Sequence, residues 1–476
     1  MDAKEQKELS SIISSLPYSY KVTGFSKEIK EGYGSYEGKK VSVAGRVTAI
    51  RKSGKLVFID ILDSKGKIQI YFDYAEIGEN EFEAAKKLNA GDMIGVEGVV
   101  FKTKPGEISV KAGKYTLLAK AIRTLPDKWH GIQDVETRYR KRHLDLIMNE
   151  GVREVFIKRS RTISLIRRFL DEKGFIEFET PTIQPLYGGA DAEPFRTHVS
   201  TLKEEHYLRI SDELYLKKLI IGGFDKVYEI CKDFRNEDLD TTHSPEFTMI
   251  EWYQAYADYN DMMKLTEELL NYTAKELLGT HEITYQGKTV SLKAPFKRLQ
   301  FVESIKEKTG KDILELDDDE LFKLAERHGI RFEKGKRNRA HAYNKLLEVL
   351  VQPELKQPTF IIDFPRDTSP LTRPKRGNPL LVERFELYID TVELANSYSE
   401  LQNPIIQREN FDSEAKKAKA GDKDAEPPDM DFVEAMEHGM PPTGGLGLGI
   451  DRLVMLLTDR NSIKEVILFP MEKRER

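Results

Sequence analysis

The sequence predicts an α+β chain in which a small five-stranded barrel is followed by a larger mixed domain. Three observations carry that expectation. Between residues 36 and 125, short runs rich in Val, Ile and Phe alternate with turn signals. From about residue 145 onward, helical periods and strand-like alternation succeed each other. A length of 476 residues, 39% of them hydrophobic, suffices for two or three domains with proper cores.

Residues 1–35 are expected to be an N-terminal helical extension, since Ile12, Ile13 and Leu16 suit a short amphipathic helix. In residues 36–125, strands are expected at Lys40 to Ile50, Lys55 to Asp63, Lys67 to Tyr71, Met93 to Phe101 and Ile108 to Lys111. Ser53-Gly54, Ser64-Lys65-Gly66 and Pro105-Gly106 separate them, and a helical stretch, Glu79 to Leu88, falls between the third and fourth. Five strands with that interruption suit a barrel of the oligonucleotide-binding type, the OB-fold. From Gly38 to Phe72 eight Lys or Arg stand against Asp60 and Asp63. That local excess could meet a phosphate backbone, or it could be a solvated strand surface. Residues 126–144 are expected to be a linker ending in the basic cluster Arg138 to His143.

The larger domain, 145–476, opens with a helical period from Val152 to Glu172, stopped by Gly174, and a short strand, Phe175 to Glu179. Lys226 to Arg235 and Glu246 to Tyr253 have strand patterns, joined by the polar stretch Asn236 to Pro245. Alternation then puts Phe247, Met249, Glu251 and Tyr253 on one face, with Phe247 and Glu251 about 13 Å apart. An aromatic platform at one end and a carboxylate with a phenol at the other suit two ligands side by side. Arg235 ends the opposing strand, where its fork suits a phosphate or a carboxylate. An ordinary hairpin with a salt bridge is the plainer alternative.

Residues 299–351 are expected to be a helical insertion, and polar Lys416 to Asp431, with Pro427-Pro428, a mobile loop. Glu383 to Gln402 has the pattern of a hairpin turning near Asp390-Thr391. Glu386 and Glu393 fall on facing strands and suit one divalent cation, with ATP phosphates completing its shell. Asn396, Tyr398 and Glu400 alternate onto one face. Glu393 joins them only if a bulge intervenes near Ala395. Near the C-terminus, Thr443-Gly444-Gly445-Leu446-Gly447-Leu448-Gly449 precedes Ile450-Asp451-Arg452 and an apolar helix. It is neither a P-loop nor a convincing dinucleotide fingerprint. Its small residues suit an anion at a helix start, close packing beneath a nucleotide, or a purely structural turn. Together with Glu213, the acids Glu251 and Glu400 make a set suited to a substrate with two amino groups.

Taken in order, these segments resemble the three signature motifs of the class II aminoacyl-tRNA synthetases. The first is the helix Val152 to Glu172 with the following strand and Pro181. The second is Phe234-Arg235-Asn236-Glu237 with Pro245-Glu246-Phe247. The third is Gly445 to Arg452. A preceding barrel indicates the aspartyl, asparaginyl and lysyl subgroup. Arg138 to Asp145, Glu213 to Lys217, Phe247 to Glu251, Tyr256 to Tyr259 and Asn396 to Glu400 resemble its lysyl branch. The resemblance covers nearly the whole chain, and three motifs in order are highly specific.

It implies a catalytic domain with an antiparallel sheet flanked by helices, and ATP, L-lysine, tRNA(Lys) and Mg2+ as ligands. Glu213 would take the lysine α-amino group, and Glu251, Tyr253 and Glu400 the ε-ammonium, with Tyr398 beside them. Arg235, the first catalytic residue, would bridge the substrate carboxylate and the ATP α-phosphate, with Asn396 helping on the carboxylate. Phe247 would stack on adenine, with Glu237 and His243 nearby. Arg452, the second catalytic residue, would grip the γ-phosphate, while Glu386 and Glu393 would hold magnesium. In the barrel, Phe58, Gln69 and Arg51 match positions that read the anticodon, although Phe58 as a core aromatic is the plainer reading. Pro181 would lie at a homodimer interface. Three positions depart from the pattern: Thr242 stands where an Arg is usual in bacterial relatives, Asp212 where a Pro is common, and Gln402 where an Asn is usual.

Aspartyl or asparaginyl activity is the nearest rival, and the acidic set argues against it. A relative that lysylates proteins would lack the barrel. A non-catalytic RNA-binding module would not need both arginines and both metal-site glutamates. A net charge of -5 alone argues weakly against nucleic acid. No apolar run reaches the roughly 20 residues of a membrane span. One cysteine, Cys231, excludes an internal disulfide, and with no signal-like core in Met1 to Lys21 a cytoplasmic location is expected.

Overall fold

The computed structural model describes residues 3–123, 125–126, 131–149, 151–190, 192–332, 337–369, 371–419 and 427–473. The chain forms two compact units that divide between Gln133 and Asp134.

The first unit is a closed barrel of β1 (Lys40–Ser53), β2 (Leu56–Leu62), β3 (Lys67–Asp73), β4 (Met93–Lys102) and β5 (Ile108–Ala119). Its strand order is β1-β2-β3-β5-β4, closed by β1 against β4. Alternation decides which side chains point inward: Val41, Val43, Val57, Ile59, Ile61, Ile68, Ile70 and Phe72 are buried, and the residues between them are not. The expected strands are present. The fifth is the longest departure, continuing past Lys111 to Ala119. Opposite the β5 bulge at Gly113, a Cβ on Gly98 would lie 2.1 Å from the Lys111 carbonyl oxygen, so only glycine lets β4 and β5 approach there. The extension carries helices Ala3–Ser14 and Ser26–Glu31, and Ile29 of the second is fully buried in the barrel core.

The second unit is built on one large sheet. Its strands, with those of two small sheets, are β6 (Ile176–Glu177), β7 (Ile183–Gln184), β8 (Arg196–Val199), β9 (Glu204–Leu208), β10 (Lys226–Phe234), β11 (Glu246–Ala255), β12 (Glu282–Tyr285), β13 (Lys288–Ser291), β14 (Lys297–Gln300), β15 (Thr359–Pro365), β16 (Pro374–Lys375), β17 (Asn378–Ile389), β18 (Val392–Ser399) and β19 (Thr443–Gly449). The main order is β14-β15-β17-β18-β19-β11-β10-β6. It is antiparallel except for a parallel pair at each end, β14 with β15 and β6 with β10. The central strands β18, β19 and β11 are therefore neighbours although β18 and β19 are separated by more than forty residues of chain.

Helix Val152–Glu172 buries Val155, Ile166, Phe169 and Leu170 at helical spacing. Together with helix Tyr259–Leu278, started by an Asp258–Asp261 capping box, it covers one face of the sheet through Tyr228, Ile250, Trp252 and Leu448. The expected insertion begins as strand β14, which takes Leu299 and Gln300. Its helices Phe301–Thr309, Asp318–Arg327 and Arg339–Leu350 then share a second core with Ile361, Phe364 and Val382.

Three other local expectations change. The short strand after the first long helix shrinks to Ile176–Glu177. The expected linker, 126–144, carries a short helix, Val135–Arg140, and the start of a second, Arg142–Met148, and residues 127–130 lie outside the described residues. The basic cluster there is not free: Arg138 and Arg142 both bind Asp145, and Arg142, 1% exposed in its side chain, also donates to the carbonyls of Lys464 and Leu468. The polar stretch 416–431 is helical at both ends, in Pro404–Lys419 and Met430–Glu437, and residues 420–426 lie outside the described residues. Among the described residues no helix is long and apolar enough to cross a membrane.

Candidate active site

A cavity of about 610 Å³ lies over the central strands of the second unit. Every expected ATP, lysine and metal residue lines it: Glu213, Arg235, Glu237, His243, Phe247, Glu251, Tyr253, Glu386, Glu393, Asn396, Tyr398, Glu400 and Arg452. Strand alternation aims Phe247, Met249, Glu251 and Tyr253 into it, while Ile250 and Trp252 enter the core on the opposite face.

The acidic end is fully enclosed. Glu213, Glu251 and Glu400 are each 4% exposed or less. Ser211 Oγ donates to Glu251 Oε1 at 2.9 Å and the Tyr253 hydroxyl to Oε2 at 2.8 Å. Lys217 Nζ donates to Glu213 Oε1 at 2.5 Å and pairs with Glu400. Burial, with Glu213 and Asp233 close by, pushes Glu251 up to about 8. Burial also pushes Glu400 up to about 8, against the opposing pull of Lys217. Asp212, buried beside Glu251 and Asp233, is raised well above the ordinary carboxylate range by the same causes. Asp212, Cys231 and Asp233 lie close together, and Arg209 Nε is 3.4 Å from Asp233 Oδ1. Burial and these acids push the Cys231 thiol far up, which keeps it inert.

The glycine run explains how so many side chains fit. Thr443–Gly449 is a strand, β19, with its backbone committed to ladders with β11 and β18, and not an anion-binding turn. A Cβ on Gly445 would lie 2.3 Å from both Glu400 Oε1 and the Tyr253 ring, and one on Gly447 2.9 Å from Met249. The glycines leave the floor bare so that neighbouring strands can project large polar groups over it.

The other end is aromatic and cationic. Arg235 donates from Nε to the Ile210 carbonyl, and its guanidinium lies 5.2 Å from the centre of the Phe247 ring. Arg452 donates to the Glu393 carbonyl at 2.7 Å and approaches His243 Nε2 at 3.1 Å. His243 Nδ1 lies 2.9 Å from Asp240. Burial is the largest single influence on Asp240 and raises it, but hydrogen bonds from His243 and two backbone amides together outweigh it and bring Asp240 down to about 2. Thr242 also lines the cavity and hydrogen-bonds Asp240, so it orders the loop but brings no cation. Asp451 ties this end together: it pairs with Arg159 of the long first helix and accepts from the Thr248 amide on β11.

Residues Asp390 and Thr391, both at positive φ, close the β17–β18 hairpin at the expected turn. Leu387 faces Ala395 while Tyr388 faces Glu393, so Leu394 is the extra residue of a bulge. That bulge turns Glu393 and Asn396 to the same cavity. Glu386, 8% exposed, accepts from Arg384 and from the Tyr388 hydroxyl, each at 2.5 Å. Arg384 was not foreseen. It also donates to Asn396 and lies over the Tyr398 ring, and its place two residues before Glu386 on one strand face was the available signal. Lys217 was missed as a participant too, although it lies one helical turn beyond Glu213. Nothing in the pattern foretold that Asn338, His341 and Asn344 of the insertion reach the cavity.

On the barrel, Phe58 is half-buried on the outer surface and outside the core cluster. It stands directly opposite Arg51, which forks onto Asp60 at 2.7 and 2.9 Å. Gln69 accepts from Ser109. Phe58, Tyr71 and Phe101 form an edge-to-face row with ring centres 5.4 and 5.3 Å apart. Tyr71 and Phe101 were missed, though Tyr71 shares the alternation of Gln69. Pro181 is exposed, near exposed Ile176 and Ile183.

Comparison with known proteins agrees with both units. A model of OB-fold nucleic acid binding domains matches residues 41–118, and one of class II tRNA synthetases (D, K and N) matches residues 134–473. A lysine–tRNA ligase of Methanoculleus marisnigri is 48% identical over 96% of this chain and 91% of its own length. One from Carboxydothermus hydrogenoformans is 49% identical over 96% and 94%. Lysine–tRNA ligase 2 of Methanosarcina mazei is 48% identical over 99% and 93%. With its motifs gathered around one cavity and matches of this length and identity, the chain belongs to the D, K and N family of class II tRNA synthetases.

Proposed function

We propose that this chain is a lysine–tRNA ligase, which activates L-lysine with ATP and transfers it to the 3′ end of tRNA(Lys). The observation that carries the choice of amino acid is the set of buried carboxylates, Glu213, Glu251 and Glu400, in one cavity with Arg235 and Phe247. A pocket for aspartate or asparagine has no use for three buried acids, because a carboxylate ligand there would meet like charge and an amide would leave them unpaired. The nearly full-length similarity to lysine–tRNA ligases agrees with this reading.

In the first step a lysine carboxylate oxygen attacks the α-phosphorus of ATP in line. The bond to the bridging oxygen breaks, and pyrophosphate leaves. Glu213 holds the α-ammonium, Glu251, Tyr253 and Glu400 hold the ε-ammonium, and Asn396 and Tyr398 flank the substrate. Arg235 bridges the attacking carboxylate and the α-phosphate and stabilises the charge that develops between them. Phe247 stacks on adenine, Glu237 and His243 border the nucleotide, and Arg452 steadies the terminal phosphate. In the second step a ribose hydroxyl of the tRNA terminus attacks the acyl carbon, and AMP leaves. No side-chain nucleophile is needed, since the protein positions reactants and places charge.

Magnesium fits the donor set. Glu393 is half-buried on the cavity wall, and its carboxylate has no hydrogen-bond or ion-pair partner among the described residues. Glu386 keeps a lone pair on each oxygen beyond its two bonds. Two hard carboxylates beside the phosphate-facing Arg452 suit a small divalent cation that keeps phosphate and water ligands. When bound, that ion would draw charge from the phosphates of ATP. Phe58 and Gln69 read the anticodon on the barrel, the exposed surface around Pro181 meets a second copy of the chain, and a reducing cytoplasm suits the lone Cys231.

Three outcomes test this reading. ATP–pyrophosphate exchange is expected with lysine and not with the other nineteen amino acids, and Arg235→Ala should lower it by at least about 10²-fold with no change in the melting temperature. Exchange with aspartate or asparagine instead would overturn the pocket assignment. Gly445→Ala, by pushing Glu400 and Tyr253 aside, should weaken lysine by about 1–3 kcal/mol and leave ATP affinity unchanged, as equilibrium binding would report. Phe58→Ala should weaken tRNA(Lys) by about 1–3 kcal/mol in filter binding without changing exchange. Equal affinity for tRNA would remove Phe58 from the interface.

A further inference from the structure

Lys217 sits where a cation is least expected, buried against two of the acids that line the pocket the proposed function assigns to a cationic substrate. It lies on helix Glu213–Ile221, four residues after Glu213, and its side chain is 2% exposed. Its ammonium donates to Glu213 at 2.5 Å, pairs with Glu400, and lies 5.9 Å from the centre of the Tyr253 ring. Glu213 and Glu400 stand on separate elements. Glu213 begins the helix, whereas Glu400 follows β18, with its amide bound to the Thr443 carbonyl at 2.8 Å. The Lys217 ammonium is the side-chain group that joins these two carboxylates.

From this geometry we propose that Lys217 is a positioning and specificity-determining residue, a strut that sets both the charge of the amino-acid pocket and the spacing of its two ammonium acceptors. The inference rests on the lysine reading above. Glu213, Glu251 and Glu400 carry three negative charges when ionised, and Lys217 cancels one. The remaining two equal the two ammonium groups of free lysine, whose carboxylate is left to Arg235. An amino acid with one ammonium leaves one buried acid without a cation, so that acid either stays ionised and unpaired or keeps its proton, and its share of the binding is lost. Holding Glu213 and Glu400 on one ammonium also fixes the distance between the acceptor of the α-ammonium and that of the ε-ammonium. A diamine one methylene shorter, such as ornithine, then reaches only one of them well. The helix makes this arrangement available, because residues four apart lie one above the other on one face.

The test compares the full-length wild type with Lys217→Met, Lys217→Gln and Lys217→Arg in ATP–pyrophosphate exchange, with lysine and ornithine as alternative substrates and thermal melting as the check on folding. Both neutral variants are expected to raise the KM for lysine about tenfold or more, with a much smaller effect on kcat. They should also narrow the lysine-over-ornithine ratio of kcat/KM by about tenfold or more, on the scale one methylene commands in a fitted pocket. Lys217→Arg keeps the charge and should recover most of the lysine KM. If Lys217→Met does not fold, the comparison of Gln with Arg carries the test. Neutral variants that fold and keep the wild-type ratio would overturn the proposal, as would an Arg variant no better than Gln. A wild type that exchanges with neither amino acid would overturn the underlying lysine reading.

Discussion

Three glutamates buried in one cavity are the constraint around which the second unit is arranged. Taking an ionised carboxylate out of water costs several kcal/mol unless it is paired, and Glu213, Glu251 and Glu400 are almost wholly enclosed. The surroundings answer that cost in two ways. Lys217, Ser211 and Tyr253 supply a cation and two hydroxyls. Burial also holds Glu251 and Glu400 near 8, so that the empty pocket carries less charge than its composition suggests. Under the proposed function, an incoming diammonium ligand would restore the ionised forms and turn the pocket's electrostatic cost into selectivity.

The sheet exists to bring these groups together. Strands β11, β18 and β19 are neighbours, and the bare glycine floor of β19 separates β11, which carries Glu251, from β18, which leads into Glu400. On the opposite face the same strands bury Ile250, Trp252 and Leu448 against two long helices, which fixes the strand positions. The nucleotide end is braced independently, through Asp451 with Arg159 and Thr248. Each half of the site is thus held by packing that does not depend on a ligand, the condition for catalysis by positioning.

Much of this was legible in the sequence because alternation has a period of two. Once Phe247 faced the cavity, Glu251 and Tyr253 had to, whereas Phe58 was singled out only by the family resemblance, and its place outside the barrel core is seen in the fold. The first long helix ran from Val152 to Glu172 as its period and Gly174 indicated. The less legible parts are those set by contacts distant in sequence. The bulge at Leu394 was required by the site but no residue type announces it. The glycine run allowed several readings, and only its position between β11 and β18 shows that clearance for Glu400 and Tyr253 decides among them. Lys217 and Arg384 look like surface charges until the strands and helix carrying them are seen to enclose them. The polar stretch 416–431 was read as a loop, and its composition did not show that the helices Pro404–Lys419 and Met430–Glu437 enter it from both ends.

The central claim is that buried, partly protonated carboxyls recognise the ammonium groups of lysine. It is tested most directly by calorimetry of lysine binding at pH 7 in buffers of different ionisation enthalpy. Burial pushes Glu251 and Glu400 up to about 8, so near pH 7 both hold protons far more readily than an exposed carboxylate does, and an arriving ammonium lowers their pKa. Lysine binding is therefore predicted to release protons, with an observed heat that changes from buffer to buffer, and the release should fade as the pH is raised above 8. A heat of binding that is the same in every buffer would contradict the account, because it would mean that the acids are already ionised before lysine arrives or are not its ligands.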